Sequence, residues 1–229
     1  MAKNVLITGC NKGLGLALSK LYLSIGYNVY GISRTKPQIQ HENFHFELFD
    51  LSNIDGIKDG LTQFIIQAEE FEMVFLNAGK LGEIKSSIDI STKQLRDVYE
   101  INVYANKEIL DILYNIKVDN IVAISSGASK NGSKGWASYS LSKAGLNMLI
   151  NLYSKELTKT KLIALAPGVI ETSMTDYIRF DIDDEKFPSA KKLKQGKIQS
   201  ATEAANSIFE FTKKIDTINS GEFIDIRNL

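Results

Sequence analysis

The sequence predicts an α/β fold: one doubly wound parallel sheet of about seven strands, with helices on both faces. Three observations carry that expectation. Short apolar runs rich in Val and Ile alternate with helical runs along the whole chain, as strands and crossover helices of a parallel sheet require. The 229 residues suffice for one well-cored domain and are short for two. A glycine-rich turn follows the first apolar run and opens a helical one, the setting that a nucleotide phosphate site needs.

Asn4–Thr8 reads as the first strand because Val5, Leu6 and Ile7 form a continuous apolar run, as a strand covered on both faces does. Leu16, Ala17, Leu18 and Leu21 mark a helix over Leu14–Ile25. Further strands are expected at Asn28–Ile32, Phe44–Phe49, Met73–Leu76, Asn120–Ile124, Lys161–Ala166 and Glu222–Ile226. Helices are expected at Ile54–Ala68, Thr92–Ile116, Trp136–Thr158 and Ala201–Lys213. In Trp136–Thr158, Leu141, Ala144, Met148, Leu149 and Leu152 recur at helical spacing. From Ser173 to Lys197 the pattern breaks down: Met174, Tyr177, Ile178, Phe180 and Phe187 are scattered among acidic and then basic residues. A connection this long without clear secondary structure is expected to be a lid or binding loop.

Hydrophobic residues make up 44% of the chain, and 27 basic residues balance 27 acidic ones. That excludes disorder and an electrostatic footprint for nucleic acid. No run approaches the ~18 apolar residues of a membrane helix. The first strand starts close to Met1, which reads as leaving no room for a signal peptide. The single cysteine, Cys10, makes no internal disulfide, and no Cys/His cluster suggests a metal. The expected compartment is the cytoplasm, with Cys10 a small filler in the turn.

Two arrangements carry chemistry. In Gly9-Cys-Asn-Lys-Gly13-Leu-Gly15, Gly9 permits a tight turn, Gly13 close approach of backbone to a pyrophosphate, and Gly15 close packing of helix on strand. The helix that follows offers its free N–H groups and positive dipole end to phosphates. In Tyr139-Ser-Leu-Ser-Lys143 the phenol and ammonium stand one helical turn apart on a common face. A cation beside a phenol favours the phenolate, so the tyrosine pKa, normally ~10, is expected to fall toward the range of a proton donor.

Thr8-Gly9-x-x-x-Gly13-x-Gly15, Asn77-Ala78-Gly79, Asn102, Ser126, Tyr139-x-x-x-Lys143 and Pro167-Gly168 occur in order. Together they resemble the short-chain dehydrogenase/reductase family in its compact form, with a Rossmann-type fold, from about Lys3 to Gly168. The Lys12-Gly13 turn and the short C-terminal end look like its small carbonyl-reductase and C-factor-like branch. The resemblance implies a nicotinamide-dependent oxidoreductase acting on a small carbonyl or alcohol. It implies a catalytic set of Asn102, Ser126, Tyr139 and Lys143, with Ser125 the alternative to Ser126. Asn102 would kink its helix and hold a water joining Lys143 to solvent. Cofactor contacts are implied at Gly9, Asn11, Lys12, Gly13, Leu14, Gly15, Asp50, Leu51, Asn77, Ala78, Gly79, Tyr139, Lys143, Pro167, Gly168, Ile170 and Thr172. Asp50 would serve at the adenine or as N-cap of the next helix. The family places a substrate lid where Ser173–Lys197 stands. Relatives pair through the helices corresponding to Thr92–Ile116 and Trp136–Thr158, so a homodimer or homotetramer is the default.

Dinucleotide folds that prefer NAD carry an acidic residue about 20 positions beyond the glycine turn, for the ribose 2′-OH. Here Ser33 and Arg34 stand there, and Lys12 is a second cation nearby. Guanidinium–phosphate pairing is charge-assisted, so NADP(H) is expected. The physiological substrate is not legible. A dinucleotide-binding sensor with little turnover is the alternative from another class.

Overall fold

Val5 and Ile7 are buried in one hydrophobic cluster and Leu6 in another, on the opposite side of the same strand. That two-residue alternation places β1 (Asn4–Thr8) in the middle of a sheet covered on both faces. The computed structural model describes residues 2–196 and 198–229; Lys197, the last residue of the expected lid, lies outside them. The remaining strands are β2 (Asn28–Ser33), β3 (Phe44–Leu48), β4 (Glu70–Leu76), β5 (Lys117–Ile124), β6 (Lys161–Ala166) and β7 (Phe223–Asp225). Their order is β3-β2-β1-β4-β5-β6-β7, and every neighbouring pair is parallel.

All seven expected strands are present. β4 and β5 begin earlier than Met73 and Asn120 because their first residues are charged and escape an apolar pattern. Glu70 pairs in register with Lys117, and the two side chains form an ion pair at 2.8 Å. The sheet simply continues to its solvated rim.

α1 (Gly13–Ser24) and α8 (Ala201–Thr212) cover one face through Leu14, Leu18, Tyr22, Ala204, Ala205, Ile208 and Phe211. α2 (Ile57–Ile66), α4 (Ala105–Leu113) and α5 (Ala137–Glu156) cover the other through Ile57, Leu61, Ile65, Ile109, Leu110, Leu146 and Ile150. The expected helix Thr92–Ile116 is a composite: α3 (Thr92–Tyr99), a π-helical turn over Glu100–Tyr104, then α4. Asn102 sits at the centre of the π turn, fully buried. Such turns insert a residue into the helical ladder and often mark functional sites.

The segment after Thr172 corrects the expectation of a connection without secondary structure. It folds into α6 (Ser173–Phe180) and α7 (Pro188–Gln195). The Thr172 side chain caps α6 by accepting from Thr175 N, and Pro188 occupies the first turn of α7, where a missing N–H costs nothing. Ile178, Ile182, Phe187 and Ala190 meet Leu81 and Ile84 in a separate small cluster. Each helix is too short to show a period of its own.

Gly15 tests how tightly the turn is built. A Cβ there would collide with the Gly9 carbonyl oxygen and stand 2.6 Å from Asn77 Nδ2. The glycine therefore lets α1 rest on the turn and on Asn77, a closer fit than the helix-on-strand packing expected. Gly15→Ala should lower the denaturant midpoint, at a cost on the order of 1–3 kcal/mol. Equal midpoints for variant and parent in urea unfolding would show that the turn yields freely.

Candidate active site

The chain moves outward from β1 to β2 and β3 on one side and to β4 through β7 on the other. The loops leaving β1 and β4 therefore diverge at the carboxyl ends of the strands, and a crevice opens between them. The cleft has a volume of about 1030 Å³ and is lined by every expected cofactor-contact residue from Gly9 to Thr172. Ser126, Tyr139 and Lys143 line it as well, and Asn102 lies just behind.

At its centre Gly9 (φ +69°) and Gly13 (φ +52°) adopt the left-handed conformation that glycine tolerates best. α1 begins directly after Lys12 without a side-chain cap, whereas α3 and α8 carry full capping boxes from Ser91–Gln94 and Ser200–Glu203. Without a cap, the first-turn N–H groups of α1 have no side-chain acceptor, as an anion site requires. Thr8 Oγ1 accepts from Asn77 N and Ala78 N, both at 3.0 Å, and Asn77 Nδ2 donates to Thr8 O at 2.9 Å. A Cβ on Gly79 would stand 3.4 Å from both Asn102 Oδ1 and Lys143 Nζ, so a bare backbone separates the glycine turn from α5.

One corner of the cleft is charged. Arg34 is exposed. The Ser52 N–H and hydroxyl, together with the Arg34 charge, hold the Asp50 carboxyl below its usual range against the opposing effect of burial. Asp50 Oδ1 accepts from Ser52 N and Oγ at 3.0 and 2.9 Å. It therefore closes a turn on Ser52 and does not cap the next helical turn, whose N-cap is Asn53. Ser33 is buried, and its hydroxyl donates to Thr35 O at 2.7 Å, which leaves Arg34 as the side chain facing out. Lys12 Nζ reaches across to Ser173 Oγ at 2.8 Å.

At the other end the two serines part company. Ser125 is buried and donates to Asn147 Oδ1 at 2.5 Å. Ser126 lowers the pKa of the Tyr139 phenol, and its hydroxyl accepts from Ala128 N at 3.2 Å. Lys143 is buried, 3% exposed, with Nζ donating to Ile124 O at 2.7 Å and lying 5.7 Å from the Tyr139 ring centroid. Burial lowers the Lys143 amine to about 8. Burial also pushes the Tyr139 phenol up to about 12, with Ser126 pulling the other way. The expected fall of the tyrosine pKa is thus not met, because desolvation of the phenol outweighs the lowering influence of Ser126.

The sequence matches the model of the short chain dehydrogenase family over residues 3–183. The chain belongs to that family. This short-chain dehydrogenase is 29% identical over 239 aligned positions to a benzil reductase, (S)-benzoin forming, of Bacillus subtilis, covering 97% of each chain. It is 26% identical to a 3-oxoacyl-(acyl-carrier-protein) reductase of Buchnera aphidicola, covering 93% of this chain and 91% of that one. Its fold matches the crystal structure of a short chain dehydrogenase family protein from Francisella tularensis at a TM-score of 0.84, with 26% identity and coverage of 99% and 97%. Membership makes it an oxidoreductase that works with a nicotinamide dinucleotide.

Several of the dehydrogenase's site residues escaped sequence reasoning. Leu81, Trp136 and Leu193 line the cleft yet read as ordinary apolar residues. Trp136 precedes α5 and donates from Nε1 to Ser189 Oγ at 2.5 Å, so it binds α7 to α5. Asn102 donates to Lys80 O and Ser142 Oγ and accepts from Lys80 N, at 2.8–2.9 Å. Unlike those three, Asn102 was expected from the family resemblance, and its place in a helix that disfavours asparagine was a further signal.

The depressed Lys143 pKa has a measurable consequence. Between about pH 8 and 10.5 the folded protein binds fewer protons at this site than the unfolded chain. The burial penalty is therefore complete below pH 8 and is relieved as pH rises toward 10.5. Relative to Lys143→Met, the parent should gain on the order of 2 kcal/mol in unfolding free energy between pH 7 and pH 10. Parallel pH profiles for the two proteins in urea denaturation would show that the amine is not desolvated.

Proposed function

We propose that the chain is an NADP(H)-dependent carbonyl reductase, converting an aldehyde or ketone to an alcohol or running the reverse, with Tyr139 as the proton donor. The observation that carries this reading is the grouping of Ser126, Tyr139 and Lys143 on the wall of the cleft that also holds the glycine turn. The residues fit a dinucleotide. α1 is uncapped toward the turn, and a Cβ at Gly9 or Gly13 would press within 3.0 Å of Ala78 Cα or 3.1 Å of Thr172 Cγ2, leaving space only for bare backbone.

Bound there, the nicotinamide supplies hydride to, or takes it from, the reacting carbon. Tyr139 gives its proton to the carbonyl oxygen as that oxygen becomes an alkoxide. Ser126 donates a hydrogen bond to the same oxygen, stabilising charge that exists only in the transition state. Lys143 holds the nicotinamide ribose and favours the phenolate left on Tyr139. The Asn102 carbonyl accepts from Asn106 Nδ2 at 2.9 Å and keeps a second lone pair for the water that joins Lys143 to solvent. Leu81, Trp136, Met174, Tyr177 and Leu193 on the cleft wall suit an apolar carbonyl substrate, in keeping with the benzil reductase relative. The reductase relatives favour turnover over a sensing role.

α6 and α7 form the substrate lid, tied to the turn by Lys12–Ser173 and to α5 by Trp136–Ser189. Exposed Tyr104, Leu141, Met148 and Leu152 support a homodimer or homotetramer through the two long helical stretches. Among the described residues no helix is long and apolar enough to cross a membrane, and the cytoplasm is the proposed compartment.

Arg34 and Lys12 recognise the 2′-phosphate. Arg34→Ala should weaken NADPH roughly ten- to a hundredfold in a binding titration and leave NADH nearly unchanged; equal affinity of the parent for both cofactors would overturn the NADP assignment. Tyr139→Phe keeps the ring and removes only the acidic proton. Its turnover of an aromatic ketone or diketone should fall by ~10²–10⁴-fold in kcat as well as kcat/KM, with NADPH affinity retained. A Tyr139→Phe enzyme running at the parental rate would sink the mechanism.

A further inference from the structure

Tyr139, Lys143 and Asn147 follow one another at four-residue intervals along α5, so they form a single stripe on one face of the helix. The first two have roles in the reaction proposed above; the third has none. Asn147 is half-buried. Its Oδ1 accepts from Ser125 Oγ at 2.5 Å, and its Nδ2 donates to Ser129 Oγ at 2.8 Å. Ser129 Oγ in turn donates to the backbone carbonyl of Ser126 at 2.6 Å.

The direction of each bond follows from counting protons. A hydroxyl has one proton to give. Ser129 spends its proton on Ser126 O and must accept from Asn147, so the NH₂ end of the amide faces Ser129. The carbonyl end then faces Ser125, whose own proton is used there and is unavailable to the cleft. One planar amide thus grips the chain on both sides of Ser126: Ser125 before it directly, and Ser129 after it, whose hydroxyl in turn holds the Ser126 carbonyl. Ser126 Oγ meanwhile accepts from Ala128 N at 3.2 Å, inside the short turn Gly127–Ser129. Gly127 borders Ser126 directly and confers little stiffness of its own.

We propose that Asn147 is a positioning residue for the carbonyl-reducing step, holding the backbone around Ser126 so that its hydroxyl stays aimed at the substrate oxygen beside Tyr139. The inference rests on the reading of Ser126 as the second donor to that oxygen. Hydrogen-bond stabilisation of a developing charge depends steeply on geometry, and a displacement of ~1 Å can cost about a hundredfold. A packing role for Asn147 would cost stability alone. A positioning role costs turnover through Ser126 and nothing else.

The test is a double-mutant cycle on the full chain with NADPH and an aromatic ketone or diketone. Asn147→Leu replaces the amide by an apolar group of similar size. Its kcat should fall roughly ten- to a hundredfold, with NADPH affinity, read by fluorescence titration, and KM little changed. In a Ser126→Ala background the same substitution should cost less than about twofold, because the group it positions is gone. Ser129→Ala deletes one hydroxyl at a half-exposed site and carries the same cycle if Asn147→Leu folds poorly; its loss has the same sign and a smaller size. Parental kcat in both variants overturns the proposal, as does a loss that persists at full size without Ser126. If Ser126→Ala by itself retains parental turnover, the reading of Ser126 fails and the proposal falls with it. If Ser126→Ala is slow while the Asn147 effect does not depend on it, only the inference drawn here fails.

Discussion

The site depends on a seam. β1 and β4 are neighbours whose chains continue in opposite directions across the sheet, and a parallel sheet has its ligand crevice where such a reversal occurs. The seam is closed at its upper end by buried Thr8, whose hydroxyl accepts the N–H groups of Asn77 and Ala78, while the Asn77 amide returns bonds to Thr8 O and Gly9 O. That exchange fixes the Gly9 carbonyl on which Gly15, and with it the start of α1, rests. From Asn77 the chain runs through Gly79 to Lys80, whose backbone N–H and carbonyl are both taken by Asn102. Asn102 then bonds Ser142, and Ser142 bonds Tyr139 O at 2.8 Å. Short hydrogen bonds and a few residues of backbone therefore connect the phosphate turn to the helix carrying Tyr139. The glycine-turn end and the Tyr139 end of the cleft share one frame.

Within that frame the two titratable groups sit in an environment that resists charge on either. Burial drives the phenol up to about 12 and the amine down to about 8, and both changes have the same cause, loss of water. At neutral pH the phenol keeps its proton and the amine keeps its charge, with one of its three donors spent on Ile124 O. A protonated phenol and a charged amine therefore stand side by side on the cleft wall. Creating the phenolate is costly while the phenol stays out of water. The low polarity that raises this cost also strengthens the attraction between Lys143 and the phenolate once it forms.

The parts legible in the sequence were those whose physics is local. A continuous apolar run such as Ile121–Ile124 announces a buried strand, and glycines between a strand and a helix announce a turn. All seven strands, five of the helical regions and the glycine turn followed from such signals, whereas the other cleft-lining residues expected were implied by the family resemblance and Leu81, Trp136 and Leu193 went unread. What stayed hidden depended on partners far away in the chain. The first residues of β4 and β5 are charged and become strand only by pairing with each other. α6 and α7 are stabilised by facing Leu81 and Ile84, nearly a hundred residues upstream. Asp50 had the composition of a helix cap, but the helix begins too late for it and the carboxylate turns back on Ser52. The Tyr139–Lys143 pair was visible as a spacing, whereas the direction of the phenol's pKa depended on burial that spacing does not report.

α5 shows why its own pattern was hard to read. A helix that only packs on a sheet has one apolar stripe and one polar one. Here Ser142, Leu146, Ile150 and Ser154 are buried against the core, Tyr139, Lys143 and Asn147 turn to the cleft and its serine loop, and Leu141, Met148 and Leu152 are more than half exposed. Leu141, Met148 and Leu152, which help make the sequence look amphipathic, thus belong to the outer face, Leu149 packs on the core, and the inner face is partly serine. Small buried serines let the helix lie close enough to the sheet for the Lys143 amine to reach Ile124 O, and Ser142 supplies the hydroxyl that meets Asn102. Three stripes on 20 residues leave few positions free for the usual hydrophobic signal. The same compression joins the outer apolar face to the Tyr139–Lys143–Asn147 stripe through one helix.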